Sequence, residues 1–366
     1  MKLSNQHIHL TGLNGIRAIA AIAVVLSHIN LGLGGFNLPA IKSLDLAGYG
    51  VTMFFALSGF LITYLLLHEK QKQEIDIQKF YLRRILRIWP LYFLYLFTSI
   101  LVAYQAGISK EPIPSSLGYY IFLAANIPFI FGGALPFIAH LWSIGVEEQF
   151  YLFWPWIIKN RKERTLITVI AFALVFLLLR LICRFIEYKW GNPLPYLVIQ
   201  VIRFDCMAIG GLGAILFYNQ NKLFEKIVYL KVVQIIAWLV IVLLAFNKFH
   251  IASVIDSDII SVITVIIIVN VCNNPHTLIS LDYNIFNFLG KISYGIYVIH
   301  PLIIFFYARF LNIFYLPVSV KYTLVYTGVV LLTIVVAYLS YEFYEKRFIK
   351  LKDKFSIIKS SGVKPA

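Results

Sequence analysis

Apolar residues in this chain gather in long runs separated by short polar stretches. Ten runs approach the roughly 20 residues that a helix needs to cross a bilayer. They lie at about 13–31, 46–68, 89–106, 140–158, 165–187, 199–218, 229–247, 254–272, 288–310 and 322–343. An eleventh stretch, Ser116–Gly133, is short, aromatic and interrupted by Pro128. The charges between the runs order them across the membrane. Lys70, Lys72, Lys79, Arg83, Arg84 and Arg87 cluster after the second run, and Lys159, Arg161, Lys162 and Arg164 after 140–158. Loops rich in Lys and Arg stay in the cytoplasm, so an even number of crossings separates these two. The runs 89–106 and 140–158 supply them, which leaves 116–133 at the outer surface or re-entering from it. Lys222, Lys226 and Lys231 then fall inside as well. The pattern predicts an all-α polytopic membrane protein of ten transmembrane helices in the inner or plasma membrane, with both termini cytoplasmic. Residues 1–345 read as a single transmembrane domain and 346–366 as a basic cytoplasmic tail. Pro90, a favourable first-turn residue, predicts that the third span begins there, after a separate amphipathic helix.

Composition agrees. The chain is 60% hydrophobic and only 13% charged, too apolar for a soluble protein of 366 residues. The runs leave no stretch for a large soluble domain, and the first run reads as a retained span. A net charge of +15 is accounted for by cytoplasmic loops facing lipid, with no nucleic-acid partner. Cys183, Cys206 and Cys272 all sit in apolar segments. Their spacing matches neither a disulfide framework nor a zinc site, and no metal is expected.

The candidate chemistry comes from ionisable residues inside the runs. Such residues are costly in a bilayer and usually face the bundle interior. Arg17 and His28 are eleven residues apart in the first run. That is three turns plus roughly 20°, so both leave one face, about 16 Å apart along the axis. In the second run Gly50, Ser58 and Gly59 either admit a neighbouring helix or expose backbone donors to a ligand. Arg83, Arg84 and Arg87 share one face of a helix. They suit either a bound phosphate or anionic lipid. Glu147 and Glu148 lie about two turns into the fourth run and diverge by roughly 100°, so only one need face a cavity. His140 and Trp142 are expected at the interface, and Arg180 is expected to pair with Asp205. Ser293, Tyr297 and His300 recur at i, i+4 and i+7, one helical face, and Pro301 frees a carbonyl next to His300.

Taken together these motifs resemble the integral-membrane acyltransferase 3 family, the O-acyltransferases that modify bacterial surface sugars. The resemblance runs over nearly the whole chain. It rests on Arg17 and His28 with ten residues between, GVTMFFALSGFL at 50–61, RRILRIWP at 83–90, HLWSIGVEEQFYLFWP at 140–155, RFDCMAIG at 203–210 and GKISYGIYVIHP at 290–301. Where the family usually has WSLS, this chain has WSIG, ending at Gly145. The resemblance implies an acyl-CoA donor, usually acetyl-CoA from the cytoplasm, and a hydroxyl acceptor on a carbohydrate or lipid-linked molecule at the outer side. On this basis His28 is the expected general base, with Glu147 orienting or charge-balancing it and Arg17 binding donor phosphate or steadying the oxyanion. His300 is a further catalytic candidate. Arg83, Arg84, Arg87, Ser58 and Gly59 are expected at the donor, and Glu148, Trp142, Tyr297 and Ser293 along the substrate path. An acyl-histidine relay is the rival chemistry. A transporter using the intramembrane Arg, His and Glu as a relay is the rival function.

Overall fold

The computed structural model describes residues 6–41, 44, 46–160, 164–356 and 358–361; Arg161 and Lys162, counted above among the cytoplasmic charges, lie outside them. The chain is helical almost throughout. Three central helices, α1 (Leu13–Leu31), α2 (Ala47–Lys72) and α3 (Ile77–Gln105), are followed by two short ones, α4 (Leu117–Ile121) and α5 (Asn126–Ile130). Next come α6 (Trp142–Asn160), α7 (Thr165–Trp190), α8 (Leu194–Ile202) and α9 (Phe204–Tyr218). The rest are α10 (Lys222–Val228), α11 (Lys231–Ala245), α12 (Asp256–Asn273), α13 (Asn284–Lys291), α14 (Ser293–Leu311), α15 (Val318–Ser340) and α16 (Lys346–Lys354). Among the described residues eight helical segments are long and apolar enough to cross a membrane, and α10 with α11, bent by 59°, makes a ninth. With α6, as long as α1 but carrying Glu147 and Glu148, the candidates number as many as the ten runs.

Two boundaries differ from the sequence pattern, and one pairing is added to it. The third span does not begin at Pro90: α3 runs unbroken from Ile77 to Gln105 with the proline inside it. A proline removes one helical bond, but within lipid a full break would leave more backbone groups unsatisfied. Tyr294 donates its hydroxyl to the Ile88 carbonyl at 2.7 Å and Tyr344 to that of Pro90 at 3.2 Å, fastening the helix on either side of the proline residue's missing donor. The run at 199–218 is broken at Arg203, whose φ of +43° is left-handed. Its guanidinium holds the turn, bonding the Gln200 carbonyl at 2.6 Å and Thr52 Oγ1 of α2 at 2.9 Å. Strands also occur: Gln6–His9 pairs in parallel with Ile358–Ser361, which brings the two ends of the chain to one face of the molecule.

α1 and α2 form the centre of the bundle, whereas α7 shows most of its apolar surface to the outside. α2 and α9 pack most closely. A side chain on Gly59 would collide with the Met207 carbonyl, and one on Gly210 with that of Ala56. Small residues at facing positions let the two backbones touch, the usual basis of helix association in lipid. Gly59 is thereby a packing residue. α7, α9 and α12 are tied by Arg180. Its buried guanidinium pairs with Asp205 and, at 2.8 Å, with Asp258, and bonds the Val254 carbonyl at 2.7 Å. Asp205, Cys206 and Asp258 present donor atoms within 4.8 Å of one another, and the guanidinium already supplies the cation between the two carboxylates.

The segment 116–133 forms two five-residue helices, each about 7.5 Å long, too short to cross. It folds onto the start of α6. Phe129 stacks on Trp142 with ring centres 5.1 Å apart, and a Cβ on Gly145 would lie 2.8 Å from the Leu123 carbonyl. The glycine that ends WSIG is what admits this close contact.

Candidate active site

Two cavities follow one another along the bundle. The one near the start of α1 is small, about 100 Å³, and cationic: Arg17, Arg84 and Arg87 line it, with Ser58, Glu147 and Tyr294. The one near the end of α1 is about 900 Å³ and aromatic, lined by His28, His140, Trp142, Phe129, Phe137 and Arg309 among others. Val51 and Tyr297 line both, so these two side chains form the partition between them. Arg17 and His28, predicted on one face of α1, each open into a different cavity.

His28 belongs to a group of three imidazoles. Its Nδ1 lies 2.6 Å from His300 Nε2, and the two rings stack with centres 4.9 Å apart. The His140 ring stands 5.2 Å from that of His300 and 6.2 Å from that of His28. Two backbone carbonyls assign the protons. His300 Nδ1 bonds the Ile296 carbonyl at 3.2 Å and His140 Nε2 the Val298 carbonyl at 3.1 Å; a carbonyl only accepts, so both nitrogens carry hydrogen. With the rings neutral, His300 Nε2 is an acceptor and His28 must donate from Nδ1. The basic nitrogen of His28 is then Nε2. His300 is therefore in place to orient His28.

Glu147 does not fill the orienting role expected of it. It accepts from Ser58 Oγ at 2.7 Å and shares the small cavity with the arginines. Glu148 points elsewhere: its carboxylate accepts from Trp89 Nε1 at 3.1 Å, and it lines neither cavity, contrary to its expected place on the substrate path. Ser293 lines the small cavity while its hydroxyl donates to the Gly290 carbonyl at 2.8 Å. Tyr297 donates to the His140 carbonyl at 2.8 Å and lies 2.6 Å from Ser143 Oγ. Trp142 lines the large cavity.

The three clustered arginines separate. Arg83 is committed, pairing with Glu69 at 2.8 Å and bonding the Phe355 carbonyl at 3.2 Å. Arg84 and Arg87 face the small cavity, and neither pairs with a carboxylate among the described residues. The Arg84 guanidinium lies 5.7 Å from the ring centres of Phe80 and Tyr151, and its Nε is buried without a hydrogen-bond partner. His140, which the sequence pattern does not mark as a partner of His28 and His300, joins them at the large cavity. It is buried among protein side chains, with 6% of its surface exposed. At the first turn of a span the interface and the core give the same pattern.

A family model described as an acyltransferase domain matches residues 10–342. Proteins named O-acetyltransferase OatA from Staphylococcus aureus strains NCTC 8325 / PS 47 and COL are 28% identical over 369 residues, which cover 92% of this chain and 57% of theirs. The chain thus spans little more than half the length of these curated relatives. No solved structure matches it.

Proposed function

The chain belongs to this acyltransferase family, and from that premise we propose that it moves an acetyl group from cytoplasmic acyl-CoA, through the bundle, to a hydroxyl of a carbohydrate or lipid-linked acceptor at the outer side. One observation carries the reading: the His28–His300 bond stands at the wall of a large aromatic cavity, while a separate cationic cavity lies behind it. Arg84 and Arg87 hold donor phosphate by paired, charge-assisted bonds. Arg17 and Glu147 line the same cavity and add one charge of each sign to it. The thioester arm passes between Val51 and Tyr297 to reach the imidazoles. The acceptor occupies the 900 Å³ cavity against Trp142, Phe129 and Phe137, a size and lining suited to a small organic ligand.

The acceptor hydroxyl gives its proton to His28 Nε2 and its oxygen attacks the thioester carbonyl carbon. The new C–O bond forms, the C–S bond breaks, and the departing thiolate takes the proton back from His28. While His28 is protonated its Nδ1–H bonds to His300 more strongly, as the carboxylate of a hydrolase triad steadies its imidazolium. The basic loops and the paired chain ends lie on the donor side in this scheme.

The test uses purified protein in proteoliposomes, with isotope-labelled acetyl-CoA on one side and a glycan or lipid-linked acceptor on the other. Label should appear on acceptor oxygen and His28→Ala should lose it. Label that stays on the protein when acceptor is withheld would replace direct transfer with the acyl-histidine relay. Substrate flux without any transfer of label would return the transporter reading.

A further inference from the structure

The carboxy-terminal helix α16 carries Lys346, Arg347, Lys350, Lys352 and Lys354 in nine residues and packs against α3 beside the arginine cluster. Helix α15 leads into it through a single π-helical stretch, Tyr341–Glu345. Its far end is tied down where the Phe355 carbonyl accepts from Arg83, itself held by Glu69. The anchoring has an electrostatic cost. Lys352 is only 22% exposed and sits within the repulsive field of both Arg87 and Arg84, with Asp353 3.5 Å away as its ion-pair partner. Lys352 does not line the small cavity, but its helix packs on α3, which carries Arg84 and Arg87, and Arg84 Nε is buried without a partner; like charges gathered on two packed helices are stable together when an anion sits among them.

We propose that Lys352 supplies, with Arg84 and Arg87, the binding site for a phosphate ester, so that the carboxy-terminal helix is part of the donor site. This rests on the reading of the small cavity as the donor end. It reassigns a share of the phosphate binding from Arg83, which is used up in fastening the helix, to a residue some 270 positions away. Coenzyme A offers a 3′-phosphate and a diphosphate outside the membrane, and the headgroup of an anionic lipid offers the same chemistry.

The experiment measures coenzyme A affinity of the purified full chain in neutral detergent, then repeats the titration with phosphatidylglycerol in the micelles. Lys352→Gln should weaken coenzyme A binding about tenfold, the size of one charge-assisted hydrogen bond. Lys352→Arg should keep most of the affinity, and Lys350→Gln, two positions before it and so on the opposite face of the helix, should match wild type. Arg87→Gln tests the donor site itself. If Arg87→Gln weakens binding and Lys352→Gln does not, the donor reading stands and the role of the helix is overturned. If the wild type binds no coenzyme A, both fall. If Lys352→Gln changes only phosphatidylglycerol binding, the ligand of Lys352 is lipid and the proposal is overturned.

Discussion

In the proposed reaction His300 sets which nitrogen of His28 takes the proton, because its own proton is committed to the Ile296 carbonyl. Two substitutions separate the roles. His28→Ala should lower turnover by roughly 10²–10⁴-fold, the usual worth of a general base, with the protein still inserted; labelled product per mole of folded protein measures it. His300→Phe keeps the packing but removes the acceptor. It should lower kcat by up to about 10⁴-fold with KM nearly unchanged, as loss of an orienting group does in a triad. A rise in KM alone would make His300 a wall of the cavity and nothing more. Glu147→Gln should impair transfer more than Glu148→Gln, since only Glu147 faces the cationic cavity. Equal tolerance of both would remove the carboxylate from the mechanism. Arg17, His28 and Glu147 stand out in the sequence because an ionisable group inside an apolar run has few bland explanations. Their partners do not. The bond from Glu147 to Ser58 joins α6 to α2, and that from His28 to His300 spans 272 positions, and helical periodicity says nothing about which faces will meet.

The helices themselves follow the apolar runs closely, since within lipid a long apolar segment has no alternative to an internally bonded helix. Their ends depend on contacts that the runs do not encode. α3 begins at Asp76, whose carboxylate accepts from the Lys79 amide at 3.0 Å as a helix cap. That bond holds the Asp76 pKa below its ordinary value, with the Lys79 ammonium adding to the effect. A depressed carboxylate contributes fully above its unfolded pKa, and the contribution fades as pH falls through the folded value. Asp76→Ala should therefore cost about 1 kcal/mol near neutral pH and progressively less in acid, which thermal unfolding in detergent at a series of pH values would reveal. A cost that stays constant into acid would assign the loss to packing. For 116–133, single cysteines at the two ends should both be labelled by an impermeant reagent from the outer side. Labelling of one end only from the cytoplasm would make the segment a crossing and reverse all that follows it.

At the scale of the whole molecule, the sequence pattern already pointed to one bundle with its ends on one side, and the pairing of Gln6–His9 with Ile358–Ser361 joins those ends directly. The division of the interior into two cavities was beyond it, because Val51 looks like any apolar residue of a span and Tyr297 like one member of a stripe. That division has an electrical meaning. If solvent fills both cavities, nearly all of the membrane voltage falls across the thin layer of protein at Val51 and Tyr297. A unit charge carried through that layer would gain or lose about 2.3 kcal/mol per 100 mV. The proposed reaction carries none: an acetyl group leaves in one direction, a hydrogen returns in the other, and the phosphates of the donor never enter the layer. Turnover in proteoliposomes should be the same at zero voltage and at a potassium-diffusion voltage of either sign, and a slope against voltage would show that an ion moves with each cycle. An enzyme built this way acts across an energised membrane as an insulator, leaving the ion gradients of the cell undrained.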